Sequence, residues 1–456
     1  MYTKKKINLM TDKTPKHLRD VDGVYSTPSG GTMETGAKSQ ISGIPFDDEM
    51  KVVSGSDGTR HATILSGYSI LTKSMIGSGL FVMAYGCFKF GIVMASIMLG
   101  VAAFITWISL RTLSILAIDY IDEEPSFYSI SEKLVPKYRW VIDVSVILNC
   151  LGASTGYVIT AGDLLSIGLY NMFQWGDATF PMSSTKKIIQ AAMIVSLAPL
   201  CLMKEMSGTK IANLVGLTCL LYIVITTFVY CDLHSASTDL LYMDNFLSAV
   251  GSFPTFIFAF ACQMNVFQIA NELKNPTVKR MNVISASSTL TGLIIYIPIM
   301  ILPFLTFGNS IDPNYLTNLD QSKIPVQIAY IFAAISVSIS YVLQVHPLRR
   351  SILSLYYGSR APAKSEEKRN RYIVVSAILL VTFGIAVGLD KIDVVTNFTG
   401  LLGGNTMCFL MPAILYLRRF GFKTDVFSIL VMAVGVFSII LYPLCLTGII
   451  YDMASH

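Results

Sequence analysis

Residues 71–81 read Leu-Thr-Lys-Ser-Met-Ile-Gly-Ser-Gly-Leu-Phe, placing two glycines, three hydroxyls and a lysine inside an otherwise apolar run. Gly77-Ser78-Gly79 is a poor helix centre, because each glycine costs about 1 kcal/mol relative to alanine. If the helix unwinds there, backbone N–H groups lose their partners, and such a turn survives only against protein or a cavity. Its chemistry is then that of an anion receptor: free N–H groups at the start of a half-helix suit a carboxylate. The same small residues also suit close helix packing with no break at all.

A second constellation lies at 256–272, Phe-Ile-Phe-Ala-Phe-Ala-Cys-Gln-Met-Asn-Val-Phe-Gln-Ile-Ala-Asn-Glu, which turns from aromatic to polar halfway along. Gln263, Asn265, Gln268, Asn271 and Glu272 are too polar for a helix bathed in lipid. Asn265, Gln268 and Asn271/Glu272 share one helical face, which could line a watery vestibule or bond to neighbouring helices. Interrupted segments at matching places in two halves of a chain point to a transporter built from inverted repeats with a midplane site. The halves share no obvious sequence identity, so the repeat is an inference.

The elements that must carry these residues are membrane helices. The 456 residues are 53% hydrophobic and 14% charged, with mean hydropathy +0.59, a balance that a soluble core does not absorb. Apolar runs predict about eleven helices near 62–85, 89–117, 140–172, 187–203, 210–231, 246–270, 283–307, 323–347, 371–389, 394–417 and 426–450. Outside residues 1–61 and Lys73, alternate loops carry about 19 and about 5 Lys/Arg, which by the positive-inside rule puts the N-terminus in the cytosol and Tyr451–His456 outside or in a lumen. Residues 1–61 are polar, without an apolar signal sequence, and read as a disordered cytosolic tail in which Ser26-Thr27-Pro28 is a candidate regulatory motif.

Other chemistry is largely excluded. The net charge of +5 is spread over loops, so no nucleic-acid patch forms. Eight cysteines show no metal spacing; Cys87 and Cys231 fall near the outer face and could pair. Gly152-Ala-Ser-Thr-Gly156 has the letters of a nucleophile elbow but sits inside an apolar helix, where small-residue packing is the reading. With no H-E-x-x-H, phosphate loop or carboxylate pair, neither an enzyme nor a bound metal or cofactor is expected. No filter-like motif marks a channel. Glu272 beside Lys274 is either a surface ion pair or a gate, His346 a helix-end residue, and Asp163 reaches interfacial water. Gly400-Leu-Leu-Gly403-Gly404-Asn405 could soften the tenth span, and the sequon at Asn397 is set within a span.

At these residues the chain resembles the amino acid/auxin permease family. Phe258-Ala-Phe-Ala-Cys262-Gln263 followed by Ile269-Ala-Asn-Glu272-Leu273-Lys274-Asn275-Pro276 is close to the system A/N pattern FAFxCH…PIxxELKxP. Asn149-Cys-Leu-Gly-Ala-Ser-Thr-Gly-Tyr157 and His346-Pro-Leu-Arg-Arg350 resemble that group's third span and eighth-span ending. The resemblance implies an all-α fold of five-plus-five inverted repeats, residues 62–420, with an eleventh helix in 421–456. It implies that Gly77, Ser78 and Gly79 meet a substrate carboxylate, that carbonyls around Phe258, Ala259, Phe260 and Ala261 meet its ammonium, and that Ser74 and Cys262 belong to the same substrate site.

Two departures bear on selectivity and coupling. Gln263 replaces the group's histidine, and Lys73 stands where sodium-dependent relatives carry asparagine. Proton-assisted relatives have lysine there, in LLKGNIGTG. An ammonium about eleven residues into the span, roughly 16 Å deep, can take the place of a monovalent cation, and Ser338 and Ser340 supply hydroxyls near the family's sodium site. The expectation is a secondary transporter of neutral amino acids across a lipid bilayer, sodium-independent and proton-coupled, with Lys73 and Glu272 as coupling or gating groups. The alternatives are a sodium-coupled symporter and an amino acid sensor with little flux. The membrane expected is the plasma membrane or that of a vacuole or lysosome.

Overall fold

The computed structural model describes residues 62–173, 182–203, 209–231, 245–358, 363–389 and 391–455, and every described element but one isolated backbone bridge is helical. The tail motif at Ser26-Thr27-Pro28 and the loop 232–244 lie outside these residues. The helices are α1 (Ile64–Met75), α2 (Gly79–Phe90), α3 (Ile92–Asp119), α4 (Phe127–Leu134), α5 (Arg139–Phe173), α6 (Met182–Leu202), α7 (Thr209–Tyr230), α8 (Phe246–Ala259), α9 (Asn265–Glu272) and α10 (Val278–Phe307). They continue with α11 (Ile324–Tyr357), α12 (Lys364–Leu389), α13 (Ile392–Phe398), a π-helical stretch Thr399–Leu410, α14 (Met411–Phe420) and α15 (Val426–Ser455).

Local chemistry sets the ends. The side chains of Thr63 and Thr277 accept from the N–H groups of Ser66 and Arg280, and Asn245 accepts from those of Leu247 and Ser248, so three helices begin on side-chain caps. Gly91, Gly308, Gly358 and Gly421 take positive φ where the chain turns between long helices.

Among the described residues eight helices are long and apolar enough to cross a bilayer, and α1 with α2, bent by 53° at the Gly-Ser-Gly turn, makes a ninth. The apolar part of α7, Leu214–Tyr230, and α8 alone are shorter. The predicted apolar runs fall on helix apart from the breaks at 76–78 and 260–264, and this is an all-α polytopic membrane protein. Outward-facing Val195 and Leu380 are 71% and 72% exposed, whereas Tyr296, Tyr330 and Tyr341 are fully buried. Lipid outside cannot drive helices together as water does, so close backbone contact carries the packing. A Cβ on Gly448 of α15 would lie 2.5 Å from Gly251 N of α8, and one on Gly400 would lie 1.9 Å from Pro254 O.

Gly152 lies inside α5, where a Cβ would strike Thr399, so the elbow-like letters serve packing. The tenth segment does not merely soften: it winds as a twelve-residue π-helix through Gly400, Gly403 and Gly404. Cys87 and Cys231 are each free and buried, which corrects the possible outer-face disulfide.

Candidate functional site

Both suspect segments are interrupted helices. α1 ends at Met75 and α2 starts at Gly79, while α8 ends at Ala259 and α9 starts at Asn265. At the first break Gly77 N–H bonds back to Met75 O, and among the described residues no backbone carbonyl takes the N–H groups of Ser78 and Gly79. They therefore stand free at the positive end of α2. At the second break Ala261 N–H goes to Phe258 O, and the carbonyls of Phe260 and Ala261 accept from no described residue. These lie at the negative end of α8. The two breaks touch, since a Cβ on Gly79 would sit 2.8 Å from Ala259 Cα.

A cavity of about 10 Å³ opens here, lined by Ser74, Met75, Gly77, Ser78, Gly79, Asn149, Ala153, Tyr157, Phe258, Ala261 and Gln344. That is room for about one water, so the site is closed in this conformation. Of the residues expected from sequence, Ser74, Gly77, Ser78, Gly79, Phe258 and Ala261 line it; Ala259, Phe260 and Cys262 are buried behind it. Cys262 N–H donates to Gln263 Oε1 at 2.9 Å, so the glutamine that replaces the group's histidine folds back to cap the unwound backbone.

The sequence reading missed the third wall. Asn149, Ala153 and Tyr157 recur every four residues on α5, one face of a helix, and the Tyr157 hydroxyl lies 3.1 Å from where a Gly77 Cβ would be. Asn149 Oδ1 is buried without a partner among the described residues. Tyr157 to Asn149 falls within the stretch quoted for its resemblance, and its four-residue spacing was the available signal.

Lys73 projects from the other side of α1. Its Nζ donates to Ser336 Oγ at 3.3 Å and Ser340 Oγ at 3.2 Å, and the residue is 5% exposed. Ser336 in turn donates to Gly216 O of α7 at 3.4 Å. No carboxylate among the described residues pairs with this ammonium. Ser338, the other expected hydroxyl, lies on a different face of α11 and lines a separate apolar cavity with Leu165, Leu197 and Ile335. The partner is Ser336, four residues before Ser340 and so on its face of the helix. The physical reason is helical pitch: residues two apart point in nearly opposite directions.

The polar face of α9 is spent on tying elements together, from the break in α1 to the end where α1 begins. Asn265 Nδ2 donates to Ser74 Oγ at 2.7 Å, Asn271 Nδ2 to Pro125 O at 3.0 Å, and Gln268 Nε2 to Glu272 Oε1 at 2.9 Å. Glu272 thus pairs with Gln268 and not with Lys274. A short parallel bridge, Ala62 N–H to Glu272 O and Lys274 N–H to Ala62 O, both 2.9 Å, joins the start of α1 to the end of α9. At the opposite end Lys89 Nζ meets Asp452 Oδ1 at 2.8 Å, and Ser248 Oγ meets the same oxygen at 2.7 Å. Asp163 pairs with Lys186.

No group of three or more His, Cys, Asp or Glu among the described residues is placed to hold a metal. The model of the family described as transmembrane amino acid transporter protein matches residues 60–455. The chain belongs to that family. Among curated members of known name, it is 24% identical over 356 residues to vacuolar amino acid transporter 5 of Schizosaccharomyces pombe, covering 76% of this chain and 82% of the relative. It is 24% identical over 412 residues to the amino acid transporter AVT6E of Arabidopsis thaliana, 84% and 82% of the two chains. It is 24% identical over 372 residues to sodium-coupled neutral amino acid transporter 7 of Bos taurus, 78% and 79%. For this transmembrane amino acid transporter family member, the interrupted helices lie within the matched region, as do α5 and α11.

Proposed function

We propose that the protein is a secondary active transporter of neutral amino acids, which bind between the two interrupted helices and cross by alternating access. The observation that carries this reading is the pairing of opposite half-sites. Free N–H groups of Ser78 and Gly79 stand at the start of α2, and free carbonyls of Phe260 and Ala261 at the end of α8. A zwitterion presents a carboxylate to the first and an ammonium to the second, and both helix dipoles favour that orientation. Backbone groups read what all amino acids share, so the side chain is left to Asn149, Ala153 and Gln344.

The architecture in this reading is eleven transmembrane helices: α1–α2 and α8–α9 each count as one interrupted span, α7 as one short span, and two five-helix halves precede α15. The N-terminus is cytosolic, by the positive-inside count. Lys73 takes the place of a coupling cation, since its ammonium already fills the space between Ser336, Ser340 and α1. A fixed cation cannot be driven by a sodium gradient, so coupling is to protons or absent, and we favour protons. The name of the Schizosaccharomyces pombe relative favours a vacuolar membrane. A sodium-coupled symporter is the second reading, favoured by the name of the bovine relative.

Counterflow of labelled amino acids into liposomes holding the purified protein tests the proposal. Uptake that saturates and exchanges with internal amino acid is expected. Binding without flux would leave a sensor, and neither binding nor flux would overturn the reading.

A further inference from the structure

Tyr296 stands on α10, outside both interrupted helices, and belongs to none of the motifs noted in the sequence. Its hydroxyl lies 2.7 Å from Met75 O and 2.9 Å from Ala259 O. Met75 is the last residue of α1 and Ala259 the last of α8, so one phenol proton is shared between the carbonyls at which both helices stop. Met75 O also takes the Gly77 N–H, whereas Ala259 O has no other donor among the described residues, and in a dry interior such a carbonyl is costly to leave unmet. Because one oxygen serves both, the two carbonyl oxygens stay within about 6 Å of each other.

The strut is rigid. The Tyr296 ring is fully buried and stands edge-on to Phe260, with centroids 5.3 Å apart and planes at 83°. One turn earlier on α10, a Cβ on Gly292 would lie 2.8 Å from Met75 Sδ and 3.3 Å from Phe260 Cε1. The same face of α10 therefore braces both breaks at two successive turns.

We propose that Tyr296 is a positioning residue that sets the spacing between the carboxylate and ammonium half-sites, and so makes the site select α-amino acids over β- and γ-amino acids. The inference rests on the transport reading above. In an α-amino acid the amine and the carboxyl group share one carbon, and each further methylene lengthens the zwitterion by about 1.3 Å. A pair of half-sites held at one separation rejects the longer molecule; a pair free to drift accepts it. The side-chain cavity plays no part in this choice, because homologues with the same side chain differ only in that spacing.

The test is competition in the same proteoliposomes, comparing the best α-amino acid found in the panel with its β-homologue and with γ-aminobutyrate. Tyr296→Phe keeps the ring against Phe260 and removes only the hydroxyl that bonds both carbonyls. The expected result is a rise of about tenfold in KM for the α-amino acid and a smaller rise for the β-homologue, so that the α-to-β preference falls about fivefold or more. An unchanged preference, whether uptake is normal or uniformly reduced, overturns the inference while leaving the transport reading intact. If Tyr296→Phe does not fold, Gly292→Ala presses on Met75 and Phe260 from the same face and is held to the same ratio. Wild-type vesicles that move no amino acid would sink the transport reading instead, and the α-to-β ratio is then read from thermal stabilisation of purified protein by each compound.

Discussion

Gly79 and Ala259 meet backbone to backbone: a Cβ built on the glycine would lie 2.8 Å from the alanine Cα and 2.9 Å from its Cβ. The start of α2 and the end of α8 thus touch at a place that combines an unwound turn with a close approach. The break and the packing, which the sequence offered as alternatives, are both present at this glycine.

Gly79→Val should therefore abolish uptake, because its branched side chain cannot enter without separating the two breaks. Gly79→Ala should already cut uptake at least tenfold, since the nearest atom, Ala259 Cα, is backbone and has nowhere to turn. The check is transport normalised to protein in the membrane; rates near wild type for the valine variant would show that the approach is dispensable.

Replacing sodium by choline should leave uptake unchanged, and Lys73→Ala should impair it at least tenfold. The alanine variant removes an ammonium held by two serine hydroxyls, leaving buried oxygens without a cation. Ser336→Ala should weaken transport more than Ser338→Ala, since Ser336, unlike Ser338, accepts from Lys73. Uptake by the wild type that strictly requires sodium, at fixed pH and voltage, would reduce Lys73 to a structural residue.

Removing one partner of the Lys89–Asp452 pair should destabilise the purified protein. The lysine side chain is 6% exposed and that of the aspartate 20%, so a partly screened loss of about 1–3 kcal/mol is expected. Lys89→Met should lower the melting temperature, and exchange of the two charges, Lys89→Asp with Asp452→Lys, should recover part of it. No change in melting temperature for the single variant would show that Ser248 alone suffices to hold Asp452.

Orientation is checked by cysteine labelling in cells or isolated vacuoles. In a background without native cysteines, Ser322→Cys should react with an impermeant maleimide from the outer or lumenal side and Lys368→Cys only from the cytosol. Both positions are exposed. The reverse pattern would invert the assigned topology.

Composition and apolar run length were enough to determine an all-helical membrane protein, because a bilayer demands about 20 apolar residues per span whatever the partners of that span. Gly77-Ser78-Gly79 and the aromatic-to-polar switch at Phe260–Gln263 were legible as breaks for the same reason: they are local violations of helix chemistry, visible without neighbours. What the sequence could not show is which side chains from distant segments close on those breaks. Tyr157 and Asn149 came from α5, Tyr296 from α10, and Ser336 in place of Ser338 from α11. Each of these looks like an ordinary buried residue in its own helix. Its role exists only through helix rotation and crossing, which small residues such as Gly79 and Gly292 decide by how near they let two backbones come.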